Sequence, residues 1–122
     1  IRVTFKNCKL VGCNFATSTL YNILIEDSNA SYSNFSSSNF KQVLFAGAKL
    51  SNSYMQESNF DDVRFEYSNL IGSQLFKTNL GGIDFTTCDI TGIGVGSQDL
   101  NGIIVDEYQA IELSRLLGII IK

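Results

Sequence analysis

The sequence predicts an all-β solenoid, a square tube wound from about five stacked coils. Three observations predict it. Every fifth residue from Phe5 to Val105 is apolar, twenty-one positions without a slip, and eight of the nine phenylalanines are among them. Six β-branched residues, Val3, Ile23, Val43, Val63, Ile83 and Ile103, recur at intervals of twenty. No proline occurs in the 122 residues, which suits a backbone whose N–H groups are nearly all needed in a ladder.

Each five-residue unit reads as one side of a coil. A helix repeats its buried positions about every 3.6 residues and a strand every second one, so a spacing of five belongs to neither alone. The residue two before each apolar centre is usually small, as at Cys8, Cys13, Ser28, Ser33, Ser38, Ala48, Ser58 and Ser68. The residue one before is often Asn or Asp, and the two after are polar or glycine, with Gly12, Gly47, Gly72, Gly82, Gly92 and Gly102 among them. An inward small residue, an inward large one and then a turn describe a side and its corner, where Gly and Asn tolerate positive φ. The β-branched residues replace the small one once per twenty residues. Four sides therefore complete a coil, and each residue stacks on the one twenty further along. At the strand spacing of about 4.7–4.9 Å, five coils give a rod of roughly 25 Å.

Here the units SNFSS, SNFKQ, SNFDD and SNLIG resemble the A(D/N)LXX motif of the pentapeptide repeat family, and the match extends from Val3 to Val105. That resemblance implies a right-handed quadrilateral β-helix, over residues 1–105. Beyond it, residues 106–122 read as a cap. Asp106 is placed to start a short helix with Tyr108, Ile111 and Arg115 on one side and Ala110, Leu113 and Leu117 on another, and Gly118 to stop it. Ile119, Ile120 and Ile121 then form a β-prone tail, expected as a strand. A solenoid end needs such a cover for its axial core and unpaired backbone. The tail either ends there or also pairs with a second copy, since three consecutive isoleucines cannot all face inward on a strand.

The terminal segment IIVDEYQAIELSRLLGIII resembles that of Qnr-type proteins, which protect DNA gyrase and topoisomerase IV from quinolones. The resemblance implies dimerisation through Leu113, Leu116, Leu117, Ile119, Ile120 and Ile121, and a rod that imitates B-DNA before a type II topoisomerase. Charge bears on this unevenly. A 25 Å duplex carries roughly fifteen charges, against a formal net charge of −3 here. Residues 1–56 hold five cations and two anions, whereas residues 57–107 hold nine anions and two cations. Glu57, Asp61, Asp62, Glu66, Asp84, Asp89 and Asp99 are thus the candidate acidic surface, either facing a basic partner or keeping an apolar rod solvated. The same acidity opposes direct nucleic-acid binding.

Catalytic raw material is scarce. The chain has no histidine and no CxxC pair, so neither a zinc site nor a Cys–His nucleophile can be assembled. No enzymatic activity and no cofactor are expected. Cys8, Cys13 and Cys88 all fall at the small inward position and read as structural thiols; Cys8 and Cys88 lie four coils apart, too far for a disulfide. No apolar run reaches membrane-spanning length, and a cytoplasmic location is expected. The chain begins at Ile1 rather than Met, so a trimmed product is compatible with it. Leu24, Leu44 and Phe76 are expected to point outward, as ordinary exposed residues or as a lateral partner patch.

Overall fold

The computed structural model describes residues 2–122. Four strands, β1 (Val3–Lys6), β2 (Thr19–Glu26), β3 (Asn39–Ala46) and β4 (Asn59–Glu66), pair in parallel in the order β1-β2-β3-β4. Their register is the sequence period made visible: Val3 lies opposite Ile23, Ile23 opposite Val43 and Val43 opposite Val63. The coil has four walls, with centres in the series of Phe5 (wall 1), Leu10 (wall 2), Phe15 (wall 3) and Leu20 (wall 4). The three eight-residue strands cross wall 4, turn a corner and continue along wall 1.

On walls 2 and 3 stacking is carried by single parallel bridges. One column runs Lys9–Asn29–Lys49–Asn69–Asp89, and the other Asn14–Asn34–Tyr54–Gln74–Gly94. The continuous sheet spans three turns rather than the five expected. Past Glu66 only bridges such as Asp84 to Ile104 continue the stack. The change coincides with Gly81, Gly82 and Gly92, which weaken strand, and with a 3₁₀ turn at Ser97–Leu100.

The axis is filled by the fifth-residue centres. Phe35, Phe40, Phe45, Leu50, Met55, Phe65, Leu70, Leu75, Leu80 and Phe85 are buried. Aromatic rings stack down the walls, Phe45 on Phe65 at 5.0 Å and 4°, and Phe15 on Phe35 at 5.0 Å and 9°. The small inward residues do more than fit. The Ser68 hydroxyl accepts the Ala48 N–H at 3.2 Å and donates to the Phe45 carbonyl at 3.2 Å. Ser28, Ser38, Ser58 and Thr78 make the same pair of contacts with the preceding coil. Corner residues two past a centre take left-handed φ, Thr87 and Ser97 excepted, and twelve of them are not glycine, Tyr32, Glu57, Tyr67 and Lys77 included.

Helix α1 (Glu107–Leu116) closes the end. Asp106 accepts the Gln109 N–H at 2.8 Å, and the Gln109 side chain returns a contact to the Asp106 N–H at 3.0 Å. Gln109 Nε2 also donates to the carbonyls of Phe85 and Cys88, at 2.8 and 2.9 Å, satisfying acceptors of the last coil. Gly118, at φ +75°, ends the helix; its N–H and that of Ile119 reach the carbonyls of Arg115 and Ser114, the paired closure of a Schellman turn. Residues 119–122 form no strand, contrary to expectation. A lone extended segment has no ladder partner within one chain.

Phe45→Ala is expected to cost about 3–5 kcal/mol as a core truncation. Ser68→Ala strands a buried N–H and should cost about 1–3 kcal/mol, while Ser37→Ala at an exposed corner should stay below about 0.5 kcal/mol. Urea denaturation of the three variants ranks them; equal costs would refute the inward and outward assignments.

Candidate partner-binding surfaces

Among the described residues no group of three His, Cys, Asp or Glu side chains converges to hold a metal ion, and no helix is long and apolar enough to cross a membrane. The chemistry on offer is that of surfaces. Of the seven candidate acidic residues, Asp61, Asp62, Glu66, Asp84 and Asp89 are exposed. Glu57 is exposed too, and its carboxylate lies 3.9 Å from the Lys77 ammonium. Asp99 is not available to any partner. It is 5% exposed, and its carboxylate accepts the N–H groups of Gly96 at 2.8 Å and Lys77 at 3.1 Å. A buried carboxylate so bonded holds the 3₁₀ turn against the fourth coil, a role its sequence position did not reveal.

The exposed acids do not share one wall. Glu66 and Asp84 stand on wall 1, Asp61 and Asp62 around the corner leading to it, and Asp89 on wall 2. Glu66 and Asp84 border an open groove of about 510 Å³ that Arg64, Tyr67, Ile83 and Thr87 also line. Gly82, also on its lining, falls where the coil before carries Asp62. Asp84 is held ionised by Thr86, whose hydroxyl donates at 2.6 Å and whose N–H donates at 2.8 Å. The hydroxyl bond and then the N–H bond draw its carboxyl below the usual carboxylate range.

The second surface is apolar. Leu116, Leu117, Ile119, Ile120 and Ile121 are exposed, Ile120 at 84%, beside exposed Tyr108 and Ile111. Leu113, expected with them, is instead 6% exposed and packs into the core. It belongs to the cap, because the helix face that carries it points down the tube. Leu44 is half-buried in register between Leu24 and Arg64, and lines a small groove with Arg2, Gln42 and Asp62. Phe76 is 46% exposed; a side chain at Gly94 would meet its ring at 2.7 Å, so glycine there lets the ring lean across the next coil.

The three cysteines are free. Cys88 is buried, and burial raises its thiol above the ordinary value, despite hydrogen bonds that act in the other direction. Cys8 and Cys13 are only half-buried, because they sit in the first coil.

A parallel, four-walled coil with one inward anchor per wall and a helix across its end defines a β-solenoid. The chain belongs to the pentapeptide repeat family: the family model described as pentapeptide repeat region matches residues 1–75. No curated protein matches the sequence significantly. Among solved structures it is similar to HetL, a pentapeptide repeat protein involved in heterocyst differentiation regulation in the cyanobacterium Nostoc sp. strain PCC 7120, at 17% identity and TM-score 0.70 over 75% of this chain. That match spans 39% of HetL. It is also similar to a pentapeptide repeat protein of the Arabidopsis thaliana thylakoid lumen, at 19% identity and TM-score 0.56, covering 89% of this chain and 76% of that one. QnrB1, a plasmid-mediated fluoroquinolone resistance protein, aligns at 18% identity over 98% of this chain and 87% of its own, with a TM-score of 0.40. These likenesses concern the fold.

Because the folded Asp84 pKa is lowered, its contribution to stability is present above the unfolded carboxylate value, about 3.9. It is lost as pH falls through the lower folded value. Thr86→Val removes the hydroxyl donor, so Asp84 should titrate at higher pH in a carboxyl ¹³C NMR titration; an unchanged midpoint would show that the hydroxyl is not what holds it.

Proposed function

We propose that this chain is a non-enzymatic binding protein that docks on a type II topoisomerase, DNA gyrase, in the place of DNA and shields it from quinolones. One observation carries the reading: the acidic excess of residues 57–107 is displayed rather than buried, through exposed Asp61, Asp62, Glu66, Asp84 and Asp89. A DNA-binding enzyme surface is basic, and complementary potentials steer and orient such an encounter. The resemblance of the terminal segment to Qnr-type proteins supports the choice of enzyme.

The partner copy belongs to the same proposal. Joining two chains through Leu116, Leu117, Ile119, Ile120 and Ile121 covers the exposed apolar end and gives the tail the ladder partner it lacks. It also brings two acidic halves together at the centre of a longer rod. A second reading, a protein-interaction scaffold with no topoisomerase target, is favoured by Arg64 inside the acidic groove and by Lys77 beside Glu57.

A gyrase supercoiling assay with and without a quinolone separates the two. Protection at micromolar protein is expected, and it should fall at least about tenfold when Asp62→Asn, Glu66→Gln and Asp84→Asn are combined, in line with loss of charge steering. Neither protection nor inhibition would select the scaffold. For the end-to-end contact, Ile120→Lys should halve the mass seen by light scattering at micromolar concentration, and equal masses for both proteins would remove it.

A further inference from the structure

Wall 3 differs from the rest of the surface in one respect. Residues 12–16, 32–36, 52–56, 72–76 and 92–96 contain no Asp, Glu, Lys or Arg, although the chain holds nine basic and twelve acidic residues. The wall is uncharged over all five coils, and its bridges run unbroken from Asn14 to Gly94. The nearest charges, Glu57 and Lys77, stand at the corner that follows it, as Tyr32 stands at the corner that precedes it, and they pair with each other. Its outward residues are Asn, Ser, Gln, Gly and three exposed aromatics, Tyr32 at 60%, Tyr54 at 44% and Phe76 at 46%. This is the composition of protein-recognition surfaces that combine rigid aromatic contacts with short amides and hydroxyls.

We propose that wall 3 is the contact surface for a second copy of this chain, packed face to face with the two rods antiparallel about a two-fold axis at Tyr54. An isologous contact sets each patch against itself, so a charged wall would risk like charges in apposition and this one does not. The residue order is also self-complementary. Antiparallel apposition sets the second coil of one copy against the fourth of the other, position for position. By backbone position Tyr32 then stands opposite Gly72, Phe76 opposite Ser36, and Asn34 opposite Gln74: the two outer aromatics are set at small residues, and amide at amide. The first coil meets the fifth, placing Ala16 against Gly96, small on small. On the axis Tyr54 meets its own counterpart.

Five coils at about 4.8 Å and five residues at about 3.3 Å give a wall of roughly 400 Å² per copy. That is below the area of stable complexes and in the range of transient ones, so the contact is expected to be weak and reversible. It is separate from the tail contact and from the topoisomerase reading, and stands whether or not either does.

Sedimentation equilibrium of the Ile120→Lys protein, which lacks the tail contact, tests it between about 10 and 500 μM. A monomer–dimer equilibrium little changed between 50 and 500 mM salt is expected, since no charge takes part. Tyr54→Lys sets two cations together on the axis and should weaken it at least about tenfold, while circular dichroism stays unchanged because Tyr54 points outward. With Cys8→Ser and Cys13→Ser in the background, Tyr54→Cys should give a covalent dimer with a short bismaleimide and Tyr21→Cys should not. A monomer throughout the range, an association indifferent to Tyr54→Lys, or equal cross-linking from both cysteine positions would overturn the proposal.

Discussion

An inward hydroxyl that accepts an N–H and donates to a carbonyl of the preceding coil sets the terms for everything else here. At Ser28, Ser38, Ser58, Ser68 and Thr78 the wall has just left a corner. The backbone there cannot direct all its groups along the stack, and water cannot enter the axis to complete them. A side chain long enough to reach both groups would not fit, and one without oxygen would leave them unpaired. Serine and threonine meet both conditions. Where wall 1 carries Val43 or Val63 instead, continuous strand supplies the backbone pairs, and an apolar branched residue fills the axis in place of a hydroxyl.

Most of this was legible in the sequence, because the solenoid makes position modulo twenty equivalent to place in space. The wall assignments, the coil counter and both ends of α1 follow from periodicity and cap chemistry alone. Three things did not follow. Asp99 occupies the same slot as exposed Asn39, Asn59 and Asn79, and only the 3₁₀ turn folding back on it takes it inside. Leu113 is expected in an outer seam through the resemblance of the terminal segment, yet it faces the core, and a helix on an end has no repeat to say which side faces in. β-Propensity predicts a strand for the tail, but it states what isoleucine prefers and not whether a partner strand is present. The signal for Gln109 was there to be read: Asp106 with Gln three residues on is a capping-box pattern. Its further reach to Phe85 and Cys88 depends on where the helix lands.

The outer surface is divided by two independent rules. Along the axis, cations gather in the first coils and anions in the later ones. Around the axis, wall 3 is uncharged while the other walls and their corners carry the ionic groups. Neither division is required by the core, which sees only the inward positions. Each wall is thus a separate face with its own chemistry, and an acidic groove, an apolar end and a neutral side can coexist on a rod of roughly 25 Å without competing for the same residues.

The left-handed corners carry a consequence for descent. Tyr32, Glu57, Tyr67 and Lys77 hold a backbone shape that elsewhere calls for glycine, and they hold it because neighbouring coils bond the corner on either side. The Glu57 N–H, for instance, is fixed by the Phe76 carbonyl. Shape at a corner is therefore inherited from the stack and not from the letter written there. Mutation can rewrite corners and outward faces almost freely, one coil at a time, as long as the inward anchors stay. Two chains of this architecture can then share only 17% identity and still superimpose, so that the geometry holds where the alphabet does not.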